Sequence, residues 1–159
     1  NYIHGHRGLV ENYTIVNNHR LYHFKMGNLK KEKMILTDNF KLEEFQCKCG
    51  CEMPRSVMEN IFKLSDQLQI LRDIYGSIHI NSAYRCESHN KSIGSNSTSQ
   101  HILGKAADIT AELTPSELSE VIEEDIDNNV IKFRGLGRYN TFTHVDIRNN
   151  KARWDNTKK

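Results

Sequence analysis

The sequence contains no long apolar run. No stretch approaches the ~20 consecutive apolar residues that a membrane-spanning helix requires, and only 37% of the 159 residues are hydrophobic. The first residues, Asn1 to Gly8, also lack the apolar core of a secretory signal peptide. The sequence therefore predicts neither a membrane span nor a signal peptide within this chain.

The chain also lacks an excess of charge of one sign. Its 22 basic and 20 acidic residues are well mixed and give a formal net charge of +2. Binding to a phosphate backbone requires a concentrated basic face, so we do not expect nucleic acid as a partner. Internal repeats and low-complexity tracts are absent as well, and the length suits one ordinary domain with its own core.

Cysteine is scarce, but three of the four cysteines are clustered. Cys47, Cys49 and Cys51 alternate with other residues, and Cys86 stands alone. In an extended segment the three would share one face, and their spacing differs from the C-x2-C knuckle of structural zinc sites. Structural thiols or disulfides that include Cys86, a second metal site, and redox chemistry all stay open. The cysteine count does not settle the redox compartment.

The composition changes near residue 35. The preceding segment, residues 1 to 34, is polar, and its short apolar stretches at 13–16 and 21–24 suggest either a β-hairpin or a partly ordered arm. From there on, Phe40, Leu42 and Phe45 can dock on a core. We therefore place the domain at residues 35–159, with residues 1–34 as an arm or the end of a preceding region.

Two capping boxes predict two helices. Ser56 with Glu59 predicts the start of a long amphipathic helix, whose apolar residues recur every three or four positions up to Gly76. Thr114 with Glu117 predicts a second helix, which we expect to stop by Asn128. Each box satisfies backbone N–H groups that a helix start leaves without partners.

Three segments have strand character. Residues 78–82 alternate, and residues 130–139 and 142–148 flank the turn-prone Asn140. With the two helices, they predict an α+β fold in which a small, mostly antiparallel sheet has flanking helices.

Residues able to bind a metal occur at two places, between residues 101 and 108 and in the strand predicted at 142–148. His101 and Asp108 are separated by Gly104, which permits a sharp turn, and by the small Ala106. In the strand predicted at 142–148, strict alternation puts His144, Asp146 and Arg148 on one face. Polar residues on one face of an apolar strand suggest a site.

The pattern of these residues resembles the zinc DD-peptidase family. That family includes D-alanyl-D-alanine carboxypeptidases, vancomycin-resistance dipeptidases, phage L-alanyl-D-glutamate endolysins and the hedgehog signalling domain. The resemblance implies that this chain has the zinc-binding fold that these proteins share. The similarity extends from about residue 40 to residue 154. Four stretches carry it: Phe45-Gln46-Cys47-Lys48-Cys49-Gly50-Cys51, Ser82-Ala83-Tyr84-Arg85-Cys86 with His89-Asn90, Ser99-x-His101-x-x-Gly104-x-Ala106-x-Asp108, and Gly135-Leu136-Gly137-Arg138-Tyr139 leading into Phe142-Thr143-His144-Val145-Asp146.

The resemblance implies roles for individual residues. His101, Asp108 and His144 would bind Zn²⁺. Arg85 would hold a substrate carboxylate or polarise the scissile carbonyl, with a structural salt bridge as its alternative. Ser99 would either hydrogen-bond substrate or orient the His101 loop.

This chain departs from the family pattern at the positions expected to hold the catalytic base. Several members place a Glu or His two, three or five residues before the last zinc ligand, where this chain has Phe142, Thr141 and Tyr139. Asp146 is our candidate catalytic base because it lies two residues along the strand from His144. Alternatively, Asp146 orients His144 or forms an ion pair with Arg148 or Arg85. Tyr139 could supply an O–H to the substrate oxyanion.

The implied function is zinc-dependent hydrolysis of an amide bond in the peptidoglycan stem peptide, by a carboxypeptidase or an endopeptidase, in cell-wall lysis or remodelling. Such an enzyme would act at the cell wall, in an extracellular, periplasmic or phage-associated setting. The alternative is a non-catalytic, zinc-stabilised module of the same fold that binds cell wall or signals. Trp154 either lines a substrate groove or packs in the core.

Overall fold

The computed structural model describes residues 34–157 together with the backbone of a hairpin at residues 12–17 and 20–25. In the hairpin, β1 (Asn12–Asn17) pairs antiparallel with β2 (Arg20–Lys25). The β-hairpin that the short apolar stretches suggested is therefore present at these residues, and the rest of residues 1–33 lies outside the described part of the chain.

A five-stranded sheet forms the centre of the remaining chain. Its order is β3-β4-β6-β5-β7, and every pair is antiparallel except β5 with β7. The strands are β3 (His79–Ser82), β4 (Ala106–Thr110), β5 (Gly135–Arg138), β6 (Thr143–Asp146) and β7 (Ala152–Asp155). The expected α+β fold with a small, mostly antiparallel sheet is confirmed. Strands β4 and β7 were not predicted, and β5 occupies only the end of the segment predicted at 130–139.

In the described residues, three α-helices accompany the sheet: α1 (Met58–Tyr75), α2 (Glu87–Ser92) and α3 (Pro115–Asp127). The capping box of α3 is confirmed, because the Thr114 side chain accepts from the backbone N–H of Glu117 and the Glu117 carboxylate accepts from that of Thr114. Within the described residues, no helix has the length and apolar character needed to cross a bilayer.

The predicted start of α1 is wrong. The α-helix begins at Met58, after a 3-10 turn at Arg55–Val57, and its N-cap Val57 makes no side-chain cap bond. The Glu59 carboxylate instead pairs with Lys63 one turn further on, at 2.6 Å, so it does not close a capping box with Ser56. The helix ends as expected, because Gly76 follows it with a φ of 84°, a conformation that suits glycine.

The core joins the segment before α1 to the helices and the sheet. Phe40 and Phe45 are fully buried and meet edge to face, with ring centroids 6.2 Å apart. Side chains of the sheet in this core include Ala107, Ile109 and Val145. Since neighbouring residues of a strand point to opposite faces, the intervening Asp108, His144 and Asp146 lie on the other face.

Candidate metal centre

One row of residues runs across the whole sheet and organises the site. Backbone pairing places Ser82 opposite Asp108, Asp108 opposite His144, His144 opposite Gly137 and Gly137 opposite Trp154. Residues directly opposite each other point to the same face. Five strands therefore bring a hydroxyl, a carboxylate, an imidazole and an indole together on one face of the sheet.

The three expected ligand residues, His101, Asp108 and His144, converge on one point. The separations are 2.9 Å from His144 Nδ1 to Asp108 Oδ1, 3.2 Å from His101 Nε2 to the same oxygen, and 3.3 Å from His101 Nε2 to His144 Nδ1. All three residues are buried. Metal–ligand bonds of about 2.0–2.1 Å in a tetrahedron would place donor atoms roughly 3.3 Å apart, so the three atoms can hold one metal ion.

His101 reaches this point from a turn. Residues 100–104 form the turn before β4, and His101 Nδ1 lies 2.6 Å from the Ala83 carbonyl oxygen. That carbonyl requires the proton on Nδ1, which leaves the lone pair of Nε2 for a metal. Gly104 has a φ of 65°, and a Cβ there would lie 3.0 Å from Val57, so the turn favours glycine on both counts.

His144 lies between two carboxylates. Its Nδ1 faces Asp108, and its Nε2 lies 3.0 Å from Asp146 Oδ2. A carboxylate that accepts the proton of one ring nitrogen fixes the tautomer, and the other nitrogen is then free to bind a metal. The Arg148 guanidinium in turn contacts both oxygens of Asp146, at 2.5–3.0 Å.

The second carboxylate oxygen of Asp108, Oδ2, is bound by Arg85. Arg85 Nη2 donates to Asp108 Oδ2 at 2.8 Å, and Arg85 Nε donates to Ser82 Oγ at 3.0 Å. Burial would raise the pKa of Asp108, but hydrogen bonds with His101 and His144 outweigh it and hold the pKa well below its usual range. The carboxylate is therefore charged, with Oδ1 directed at the two histidines.

The two histidines differ in their ionisation. Burial lowers the pKa of His101 and favours the neutral imidazole, the form that binds a metal. Burial also opposes charge on His144, but hydrogen bonds with Asp108 and Asp146 outweigh it and raise the pKa. Two carboxylates, Asp108 and Asp146, therefore flank His144 and favour positive charge at this place.

Two glycines of β5 make room for these contacts. A Cβ on Gly135 would lie 2.0 Å from the Asp146 carboxylate, and one on Gly137 would lie 2.3 Å from the Trp154 indole. Over Gly137, the Trp154 ring reaches the His144 ring at a centroid distance of 5.0 Å. Side chains at either glycine would displace groups that contact His144.

The remaining expected site residues lie around this centre. Ser99 Oγ accepts from the backbone N–H of His101 at 3.4 Å, and the Tyr139 hydroxyl accepts from Trp154 Nε1 at 3.0 Å. Sequence reasoning missed the Ala83 carbonyl and the spatial purpose of Gly135 and Gly137. Two glycines at alternate positions of a strand were the available signal, because they mark a face where other groups approach the backbone closely.

Two histidines and an aspartate on an α+β scaffold are a donor set used by metal-dependent hydrolases. A family model described as Peptidase M15 matches residues 38–146, a segment that contains all three residues. The chain therefore belongs to the Peptidase M15 family, and it is a metallopeptidase. This match confirms the family resemblance found in the sequence. Comparison with curated proteins finds no match to the chain.

Proposed function

We propose that this protein is a zinc peptidase that hydrolyses an amide bond of the peptidoglycan stem peptide, as a D-Ala-D-Ala carboxypeptidase or an L-Ala-D-Glu endopeptidase. The observation that carries the proposal is the convergence of Nε2 of His101, Oδ1 of Asp108 and Nδ1 of His144 within 3.3 Å. Three protein donors leave one position of a tetrahedron for water or substrate, which is typical of catalytic zinc. Because peptidoglycan lies outside the cell membrane, the enzyme would act at the cell wall, extracellularly, in the periplasm or with a phage.

Each proposed ligand has a hydrogen-bond or ion-pair partner that orients its side chain. The Ala83 carbonyl holds His101, Arg85 holds Asp108, and Asp146 holds His144. When bound, zinc would act as a Lewis acid that activates water and stabilises the negative charge that develops on the scissile carbonyl. The partners keep the donors in place, so little reorganisation is needed when the ion binds.

For Asp146, the contacts favour the positioning role over that of catalytic base. Asp146 is fully buried, and both of its carboxylate oxygens contact Arg148. Its carboxylate faces Nε2 of His144, not the metal-facing Nδ1. A base must lie within hydrogen-bond reach of the proton it accepts. Asp146 is instead separated from the metal-facing nitrogen by the imidazole ring.

The other site residues receive roles on the same grounds. Arg85 donates to Asp108 and Ser82 and has a side chain only 10% exposed, so we assign it to holding Asp108, the salt-bridge alternative. Ser99 orients the His101 turn through its bond to the His101 backbone. The Tyr139 hydroxyl oxygen accepts a hydrogen bond from Trp154 Nε1, so its O–H group can donate a hydrogen bond to a substrate carbonyl.

Digestion of purified peptidoglycan tests the proposed function. We expect the protein with zinc to release new amino termini, and the masses of the fragments to identify the bond that is cut. His101→Ala should abolish the release. A matched control, His79→Ala, removes an exposed histidine of β3 and should digest normally. Unchanged digestion by His101→Ala would exclude the proposed centre as the source of activity.

A non-catalytic, zinc-stabilised module is the second candidate. It is favoured by Phe142, Thr141 and Tyr139, which stand where several family members have a Glu or His. Such a module would bind zinc and sediment with the cell wall, yet release no new amino termini. The same digestion therefore separates the two functions.

A further inference from the structure

The four cysteine side chains form a cluster outside the strand row. Cys49 Sγ lies 2.8 Å from Cys51 Sγ, 3.2 Å from Cys47 Sγ and 3.5 Å from Cys86 Sγ. Cys86 Sγ lies 3.3 Å from Cys51 Sγ and 3.9 Å from Cys47 Sγ. All four are free thiols. Three come from one short segment and the fourth from the residue that precedes α2.

We propose that Cys47, Cys49, Cys51 and Cys86 bind a second metal ion, a structural zinc held by four thiolates. Zinc–sulfur bonds of about 2.3 Å in a tetrahedron place the sulfur atoms roughly 3.8 Å apart. Five of the six sulfur–sulfur separations are 2.8–3.9 Å, close to or below that value. The sulfur atoms of Cys47, Cys49 and Cys86 all lie within 4.8 Å of one another, and Cys51 reaches this group through its contacts with Cys49 and Cys86, so the four would move into a tetrahedron as the ion binds. Four protein ligands close the coordination shell, as in structural rather than catalytic zinc sites.

A turn, and not an extended strand, brings the thiols of the first segment together. The Gly50 N–H donates to the Cys47 carbonyl at 3.0 Å, and Gly50 has a φ of 79°, a conformation that few other residues adopt. The chain turns there, so that Cys49 Sγ lies beside the sulfur atoms of both Cys47 and Cys51. The segment is therefore not extended, so the three cysteines are brought together by a turn and not by a shared strand face.

Backbone N–H groups point at two of the sulfur atoms. The Cys86 N–H donates to Cys47 Sγ and the His89 N–H donates to Cys86 Sγ, both at 3.4 Å. Hydrogen bonds of this kind stabilise thiolate charge and orient metal ligands. A disulfide joins two sulfur atoms and would use only one of the three neighbours of Cys49. Cys49 and Cys86 each lie beside the other three sulfur atoms, and this clustering is what binding to a single ion requires.

The proposed ion would connect the start of the domain to the peptidase centre. The Tyr84 N–H donates to the Phe45 carbonyl at 3.1 Å, so the segments that carry Cys47 and Cys86 already meet. Cys86 directly follows Arg85, whose guanidinium holds Asp108. An ion at the thiols would therefore anchor the segment that places Arg85.

Metal content of the full chain tests this site without reference to activity. Purified under reducing conditions and dialysed against zinc, the wild-type protein should contain two zinc ions per chain by elemental mass spectrometry. His101→Ala should contain one. Cys49→Ser should also contain one, and Cys49 is the ligand chosen because it is exposed. Cys49→His, which restores a ligand that zinc accepts, should recover the second ion.

Cobalt substitution identifies which ion is lost. Wild type and His101→Ala should both show the intense near-ultraviolet charge-transfer band of cobalt bound by thiolates, and Cys49→Ser should lose much of it. The proposal is overturned if folded wild type lacks this band, if His101→Ala binds no metal, or if the mass of the reduced-purified chain shows disulfides. If Cys49→Ser does not fold, the spectra of wild type and His101→Ala still decide. A failure of the peptidase proposal leaves these measurements unaffected.

Discussion

At the scale of single residues, the distinguishing feature is how closely each proposed ligand is held. His144 has a different carboxylate at each ring nitrogen, and Asp108 has a different partner at each oxygen. Such partners fix the tautomer and the orientation of a ligand. Changes to a partner should therefore alter metal affinity even though the partner does not touch the metal.

Asp146→Asn tests this distinction. The new amide N–H₂ group would face the N–H donors of Arg148 or the protonated Nε2 of His144, so it cannot replace the carboxylate. We expect zinc affinity, measured by competition with a chelator, to fall by roughly 10- to 100-fold. Asp73→Asn, which changes an exposed carboxylate of α1, is the control. Unchanged affinity with a large loss in kcat would instead identify Asp146 as the catalytic base.

Gly137→Ala tests the contact between Trp154 and His144. A Cβ placed 2.3 Å from the indole must displace Trp154, and we expect a loss of about 1–3 kcal/mol in the free energy of unfolding. Because the clash is with that one side chain, the same change in a Trp154→Ala background should cost much less. Equal costs in the two backgrounds, measured by urea unfolding, would contradict this explanation.

At the scale of elements, ion pairs join α3 to the chain around edge strand β7. Glu123 of α3 pairs with Arg153 of β7 and, at 2.9 Å, with Lys151 just before it. Burial would raise the pKa of Glu123, but these two partners outweigh it and lower the pKa below its ordinary value. A carboxylate whose pKa is lower in the folded state stabilises the fold above its unfolded pKa, and this contribution is lost as the pH falls.

Glu123→Gln should reveal that pH dependence. Near pH 7 the variant should be less stable than wild type by about 1 kcal/mol or less, because the pairs are partly exposed. As the pH falls below the ordinary value of 4.5, wild-type Glu123 becomes protonated and the difference should shrink. Urea midpoints at several pH values measure it. Glu112→Gln, a change of an exposed carboxylate before α3, should show no such convergence.

At the scale of the whole molecule, two metal centres would hold together parts of the chain that are distant in sequence. The proposed peptidase centre joins the turn at His101 to β4 and β6, and the proposed thiolate centre joins the segment before α1 to the residue before α2. A ligand that binds only the folded state stabilises it by about 2.7 kcal/mol at a concentration 100 times its Kd. Metal removal should therefore lower stability at two separable sites.

Unfolding with and without a chelator measures both contributions. Wild type should lose most stability on chelation, and His101→Ala and Cys49→Ser should each lose only part. The double variant should be insensitive, and excess zinc should restore the wild type. A chelator effect on the double variant equal to that on wild type would show that neither set of residues binds the stabilising metal.

Local signals in the sequence were sufficient for part of the fold. The Thr114 box of α3 and the Gly76 end of α1 depend on a few neighbouring residues and were predicted correctly. The Ser56 box failed because Glu59 pairs with Lys63 instead. Strand β4 could not be recognised from Ala106 and Ala107, which have little preference for strands. It forms because β3 and β6 pair with it on both sides.

The sequence by itself determined the family, because the Peptidase M15 model matches residues 38–146, and it supplied two histidines and an aspartate that we propose as metal ligands. Only the tertiary structure decided how they are arranged. It directed Nδ1 of His144 to Asp108 and Nε2 to Asp146, and it gathered four thiols from two segments at one point. The physical reason is that strand pairing and turn geometry set these directions through contacts between residues far apart in the chain.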